Sequence, residues 1–163
     1  LRNSGYQPVT AGSNVAIAVA LTAMGTPLTN GTGTLAVNSS YSVFTGGIIT
    51  APSFLFVNDD LAAPTTGKAK VRFVNLSSDF LNTSCYVGTI KLDSNIGYNT
   101  CTRFYEVMPT TAKVSVIDQV VLAKSGDIPN QVLSAGKIYT FVLTGTSAGT
   151  LTSALTLTVI NNN

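Results

Sequence analysis

Hydrophobic and polar positions alternate along most of the chain. Val15, Ile17, Val19 and Leu21 fall on one side of an extended segment, with Ala16, Ala18 and Ala20 on the other. Val71 and Phe73 alternate with Lys70, Arg72 and Val74, and Val114 and Val116 with Lys113 and Ser115. Tyr139, Phe141 and Leu143 alternate with Thr140, Val142 and Thr144; Leu155, Leu157 and Val159 alternate with Thr156 and Thr158. A period of two, with threonine on the wet side and β-branched or aromatic residues on the other, predicts half-buried antiparallel strands. No window places apolar residues at helical spacing behind a cap, so little or no helix is expected. Turns are expected at Thr10–Ser13, Thr29-Asn30-Gly31-Thr32-Gly33, Gly46-Gly47, Ser134–Lys137 and Ser147–Gly149, where glycine, asparagine and serine tolerate positive φ.

The pattern also repeats. Tyr6–Val9 and Asn14–Val19 reappear as Tyr105–Met108 and Lys113–Ile117, Leu35–Thr45 as Leu133–Leu143, and Ser53–Asn58 as Ala154–Val159. The period is roughly 100 residues, the size of a β-sandwich. Residues 69–100 have no upstream counterpart. The segment 58–67 holds Pro64 and Gly67 and breaks the alternation, as a linker does. The organisation expected is a partial sandwich over residues 1–60 that lacks its first strands, a linker over 61–67 and a complete sandwich over 68–163.

Composition narrows the classes. Hydrophobic residues make up 45% of the 163 and charged residues 10%, against about 25% charged in a typical soluble domain. A polar surface with little charge repels neighbours weakly. The net charge of +2 argues against a nucleic-acid or membrane-surface partner. No apolar run is long enough for a helix to span a bilayer. There is no initiator Met or basic-then-apolar leader, so the start is expected to be a processed or trimmed end. Lys68, Lys70 and Arg72 share one face of a predicted strand and are expected to form its solvated side. The two cysteines, Cys85 and Cys101, are roughly 15 residues apart; a disulfide there would contribute about 3 kcal/mol in the chain-entropy model. The alternative is two buried free thiols.

Gly67-Lys68-Ala69-Lys70-Val71-Arg72-Phe73-Val74-Asn75-Leu76-Ser77-Ser78-Asp79 resembles the opening of a domain of the domain-of-unknown-function 4397 family. Asn95-Ile96-Gly97-Tyr98 followed by Thr102-Arg103-Phe104-Tyr105 resembles that family's central strand pair, and Ser134-Ala135-Gly136-Lys137-Ile138-Tyr139-Thr140 its late strand. The resemblance runs from Gly67 to the C-terminus and, in part, over residues 6–60. It departs after Asp79, where Phe80-Leu81-Asn82-Thr83 replaces a usual Pro-rich turn. The resemblance implies an immunoglobulin-like or transthyretin-like antiparallel sandwich, exported by bacteria, with no catalytic residues to carry over.

The residues themselves hold no catalytic signature. There is no His, which removes Ser-His-Asp and Cys-His chemistry and most zinc sites. No phosphate-binding loop, nucleophile elbow or dinucleotide fingerprint occurs. Glu106 is the only Glu, a poor start for the facing carboxylates that glycoside hydrolysis needs. Asp59, Asp60 and Asp79 are a sparse calcium candidate near the linker, since calcium takes six to eight oxygens. Tyr6, Tyr41, Tyr86, Tyr98, Tyr105 and Tyr139 are candidates for sugar stacking, though such rings at strand positions more often fill a core with the hydroxyl at its rim. Asn30, Asn38, Asn75 and Asn82 head Asn-x-Ser/Thr triplets, frequent by chance in this composition.

No catalytic, cofactor or metal residues are expected. A partial sandwich would leave Val15, Ile17, Val19, Phe54 and Phe56 uncovered, with unpaired strand edges. Repair by a strand from another subunit, with Leu155, Leu157 and Val159 of the C-terminal run as donor, would build a head-to-tail homopolymer. The function expected is thus a non-catalytic subunit of an extracellular bacterial filament or surface layer. The alternative is a secreted or surface-anchored module that binds glycan or protein through its loops.

Overall fold

The computed structural model describes residues 4–20, 27–48, 50–122, 125–150 and 154–163. Leu21, at the end of the first predicted strand, and residues 151–153 of the C-terminal run lie outside them. The described residues form an all-β fold without helix. Its strands are β1 (Gly12–Ala20), β2 (Pro27–Leu35), β3 (Ser40–Ile48), β4 (Ala51–Asp59), β5 (Ala69–Asn75), β6 (Thr83–Val87), β7 (Ile90–Ile96), β8 (Thr100–Cys101), β9 (Tyr105–Val107), β10 (Thr110–Asp118), β11 (Ser125–Leu133), β12 (Ile138–Thr144) and β13 (Thr156–Asn161).

Residues from β5 onward build two sheets. One has the order β11-β10-β6-β7, the other β13-β12-β5-β8 with β9 also on β5. Their facing sides close over one core. Val71, Phe73, Phe141 and Leu143 from one sheet meet Cys85, Val87, Val114 and Val116 from the other. Phe73 and Phe141 stack at 5.3 Å between ring centroids. The alternation in β5, β10 and β12 is the trace of this packing. All the pairs are antiparallel except β5 with β12, which run parallel with Val71 opposite Tyr139 and Phe73 opposite Phe141. That corrects the all-antiparallel expectation. The chain leaves β5 for β6 and β7, returns as β8 and β9 antiparallel to β5, crosses again to β10 and β11, and comes back as β12 on the other side of β5; a connection that crosses to the opposite sheet can bring two strands together in parallel.

Residues before Asp60 form two ribbons, β1-β2 and β3-β4. One face of β3-β4 lies on the outer side of the β5–β12 sheet, where Phe44, Leu55 and Val57 pack on Val74, Leu76 and Val142. With a layer on each side, every residue of β5 is buried. The other face of β3-β4 carries Phe54 and Phe56 and is covered by β1-β2. A Cβ on Gly31 would sit 2.3 Å from the Phe54 ring, and one on Gly33 2.7 Å from the Phe56 ring. The Thr29–Gly33 stretch is therefore strand, contrary to the turn expected there. Its glycines serve close approach to two aromatic rings. Gly46 and Gly47, also expected as a turn, lie in β3.

Gly12 pairs with Leu35 and Thr110 with Leu133, positions 98 residues apart, but the two registers then diverge: Ala16 pairs with Thr32, whereas Val114 pairs with Ile128.

Candidate functional site

The feature that organises the molecule is the junction between β3-β4 and the β5–β12 sheet. Extended backbone turns Lys70, Arg72 and Val74 to one side of β5, and that side meets the ribbon. Arg72 is buried; its Nη1 donates to Asp59 Oδ1 at 2.6 Å, with the two side chains 2% and 0% exposed. Its Nε donates to Thr140 Oγ1 at 2.9 Å, and its Nη2 to Ser42 Oγ at 3.2 Å. Asp59 Oδ2 accepts from the Ser42 hydroxyl at 2.6 Å and from the Tyr6 hydroxyl at 2.5 Å. Tyr6 Oη in turn accepts from Asn162 at 3.1 Å, and Asn162 Oδ1 accepts from Thr140 at 2.8 Å. The guanidinium also lies 4.6 Å from the Phe104 ring centroid and 5.6 Å from that of Phe44.

A buried ion pair survives desolvation only when its remaining donors and acceptors are filled. Here all three guanidinium nitrogens and both carboxylate oxygens have partners. Burial, reinforced by the bond to Asp59, pushes the Tyr6 hydroxyl above its ordinary value, so it stays a neutral donor well into the alkaline range.

This corrects the expectation that Lys68, Lys70 and Arg72 form a solvated side. They do share a face, but Lys70 and Arg72 are 8% and 2% exposed. Lys70 Nζ bonds Asp60 Oδ2 and the Ala62 carbonyl, each at 2.8 Å. Only Lys68 is at the rim, 3.4 Å from Glu106. Glu106 also accepts from the Thr65 amide at 2.7 Å and hydroxyl at 2.8 Å. Residues 60–67 are thereby strapped along β5 and β9. Sequence reasoning missed the junction; the one available hint was a basic trio on an otherwise apolar strand, shortly after a pair of aspartates.

The three candidate calcium ligands do not converge. Asp59 serves Arg72 and Asp60 serves Lys70, while Asp79 accepts from Ser77 at 3.0 Å and from the Ser147 amide at 2.9 Å. Burial pushes the Asp79 carboxyl up, but the bonds from Ser147 and Ser77 outweigh it and hold it below its ordinary value. Among the described residues no three His, Cys, Asp or Glu side chains group as metal ligands would. The tyrosines act separately: Tyr41 stacks on Phe56, the Tyr105 hydroxyl bonds Asp93, and the Tyr139 hydroxyl accepts from the Ser134 amide.

Cys85 and Cys101 are free. Cys85 faces the sandwich core. Cys101 pairs with Val74 in β8 and packs with it at the junction. The β5–β12 sheet stands between the two, which excludes the disulfide. Burial pushes the Cys85 thiol up to about 12 and raises Cys101 as well. Because the thiolate is the reactive form, a thiol reagent is expected to label the native chain slowly and both sites rapidly in denaturant. An intact mass two hydrogens light before reduction would contradict this.

The predicted inter-subunit residues are divided. Phe54 and Phe56 are half-buried beneath β1-β2, not bare. Leu157 is 7% exposed in the core, with Leu155 and Val159 packed against it. The C-terminal run fills its own sheet beside β12 along Tyr139–Thr144 and is no free donor. Val15, Ile17 and Val19 are half-buried on the face that includes Gly31 and Gly33, whereas Val114 and Val116 of β10 are 0% and 2% exposed. Pairing gives the reason. β10 is flanked by β11 and β6, and β12 by β13 and β5; among the described residues, β1 is paired only with β2 and β3 only with β4. Each ribbon thus has an edge without a paired strand among the described residues, although at the end of β3 the Gly47 amide donates to the Leu76 carbonyl at 3.3 Å.

This is an all-β protein of two packed sheets joined to two stacked ribbons. The chain belongs to the family described as "Domain of unknown function (DUF4397)", whose model matches residues 2–83, half of its length. That match crosses the junction and includes both Asp59 and Arg72. No curated protein matches the chain. Among solved structures, the C-terminal domain of AlgF from P. aeruginosa is similar at 19% identity and a TM-score of 0.43, covering 58% of this chain and 98% of that one. A likeness at that level carries no argument.

Proposed function

We propose that the chain is a non-catalytic structural module of an extracellular bacterial filament or surface assembly, and that its subunits join by β-strand addition. In this reading the fold is a tandem of immunoglobulin-like or transthyretin-like sandwiches, of which residues 1–60 are a partial copy. The observation that carries it is the pairing: among the described residues β3 pairs only with β4, where β12 has both β13 and β5, and β1 pairs only with β2, where β10 has both β11 and β6; a single bond from the Gly47 amide to the Leu76 carbonyl, at 3.3 Å, touches the end of β3. An unpaired row of backbone N–H and C=O groups beside half-wet apolar side chains templates further pairing. A surface with few charges does little to oppose it. The Arg72–Asp59 junction has a mechanical part in this reading, fixing the ribbons to the sandwich so that load passes between them.

Sedimentation across a concentration series, with negative-stain imaging at the top of it, tests the reading. Species larger than a monomer, growing with concentration and forming fibres, are expected; a monomer throughout would end it. A second reading, a binding or adhesion module for glycan or protein, is favoured by one feature. A cleft of about 440 Å³ opens beside β4, lined by Val57, Asn58, Asp60, Arg72 and Cys101–Phe104. A monomer that retains a glycan or protein ligand, and loses it on Phe104→Ala, would be its signature.

A further inference from the structure

The cleft beside β4 has one wall of strand edge and one of fixed loop. The Phe54 carbonyl accepts from Asn99 Nδ2 at 3.4 Å, so it faces away from β3. In an antiparallel pair the N–H and C=O of alternate residues turn to the same edge. Phe56 and Asn58 therefore present their backbone groups on that outer edge too, and among the described residues no strand but β3 pairs with β4. In the sequence repeat Ser53–Asn58 answers to Ala154–Val159, and the strand there, β13, also ends its sheet. An outer edge is the ordinary condition of this strand. The facing wall is Cys101–Phe104. It is held from behind: the Thr102 amide donates to the Phe73 carbonyl at 2.9 Å, and the Thr102 hydroxyl accepts from the Phe73 amide at 3.0 Å.

The charges along the cleft do not cancel. Arg72 is matched by Asp59, and Asp60 by Lys70. Arg103 is exposed and has no carboxylate partner among the described residues. Its guanidinium lies 4.9 Å from the Tyr105 ring centroid, and the hydroxyl of that tyrosine donates to Asp93. At the Phe54 end, Asn99 Oδ1 is buried with no donor.

From this we propose that the cleft takes an extended, acidic peptide segment of a partner protein. The backbone of the segment adds to the Phe56–Asn58 edge of β4, and one of its Asp or Glu side chains pairs with Arg103. Main-chain bonds to a sheet edge supply affinity and side-chain contacts supply selectivity; a guanidinium meets a carboxylate through two N–H donors at once. Because the facing wall is already fixed, little ordering is left to oppose binding. A peptide is favoured over a sugar because the free groups on the β4 wall are amides and carbonyls at strand spacing. The inference rests on the binding-module reading and adds the class of ligand, the strand it joins and the residue that selects its charge.

The test uses the 163-residue chain and a rhodamine-labelled heptapeptide of alternating valine and glutamate, followed by fluorescence anisotropy. Saturable binding is expected, with none when lysine replaces every glutamate. Methylating the peptide's amide nitrogens at alternate residues leaves its charge unchanged; it should weaken binding about tenfold in one of the two possible phases and little in the other. Arg103→Ala should weaken binding about tenfold, whereas Lys91→Ala, at an exposed lysine of β7, should not, and thermal unfolding checks that both variants fold as the parent does. Equal binding of the lysine peptide, tolerance of methylation in both phases, no loss on Arg103→Ala, or no saturable binding would each overturn the proposal. The broader reading is tested separately. A monomer that retains a glycan, loses it on Phe104→Ala and ignores the peptide keeps the module and loses this ligand; a monomer that binds neither loses both.

Discussion

Replacing Arg72 with methionine is expected to destabilise the chain by about 3–5 kcal/mol. The loss comes less from the missing attraction than from what remains. Asp59, with its side chain 0% exposed, would keep a charge with no cation beside it in a site that excludes water. The Ser42 and Tyr6 hydroxyls would still donate to it, but neutral donors offset only part of that desolvation. For a chain of this size the loss should appear as a fall in Tm of about 2–4 °C per kcal/mol. The double variant Arg72→Met with Asp59→Leu should recover most of it, because removing both charges also removes the cost of burying them. Arg72→Lys should not rescue, since one ammonium cannot reach Thr140, Asp59 and Ser42 together. Thermal unfolding of the four proteins decides the matter. An Arg72→Met variant within 1 kcal/mol of the parent would mean that water reaches the junction and that the ion pair is not what holds it.

Phe141→Ala should have a comparable effect for a different reason. The ring is 0% exposed, stacked on Phe73 between the two sheets. Close-packed neighbours collapse only partly into such a gap, so a loss of about 3–5 kcal/mol is expected. Phe54→Ala is the informative control. Phe54 packs on Gly31 but stays half-wet, so the expected loss is about 1 kcal/mol. Denaturant titrations should separate the two in midpoint. Equal losses would mean that the ribbons are as closed as the sandwich, which would remove the basis for strand addition.

The strand positions were legible because alternation is a local property. Val15–Val19, Val71–Val74, Val114–Val116, Tyr139–Thr144 and Leu155–Val159 all lie in or against strands with the expected side buried or half-buried. The glycines of β2 misled, because Gly31 and Gly33 have the composition of a turn. Only the rings of Phe54 and Phe56, more than twenty residues further along, require them in a strand. The cysteines misled similarly: spacing along the chain allowed a bridge that an intervening sheet forbids.

Taken alone, the order of residues determined that this protein is built of strands, which side chains share a face, and that it lacks the groups for acid–base or nucleophilic catalysis through histidine. Those properties depend on each residue and its near neighbours. The tertiary structure alone decided what covers each face: that β5 runs parallel to β12, that the basic side of β5 is sealed by Asp59, Ser42 and Tyr6, and that among the described residues β1 pairs only with β2 and β3 only with β4. Period-two alternation sorts side chains into two sets but does not say which set meets water. That is settled by contacts between segments dozens of residues apart, where desolvation makes an unpaired charge costly and a matched one tolerable.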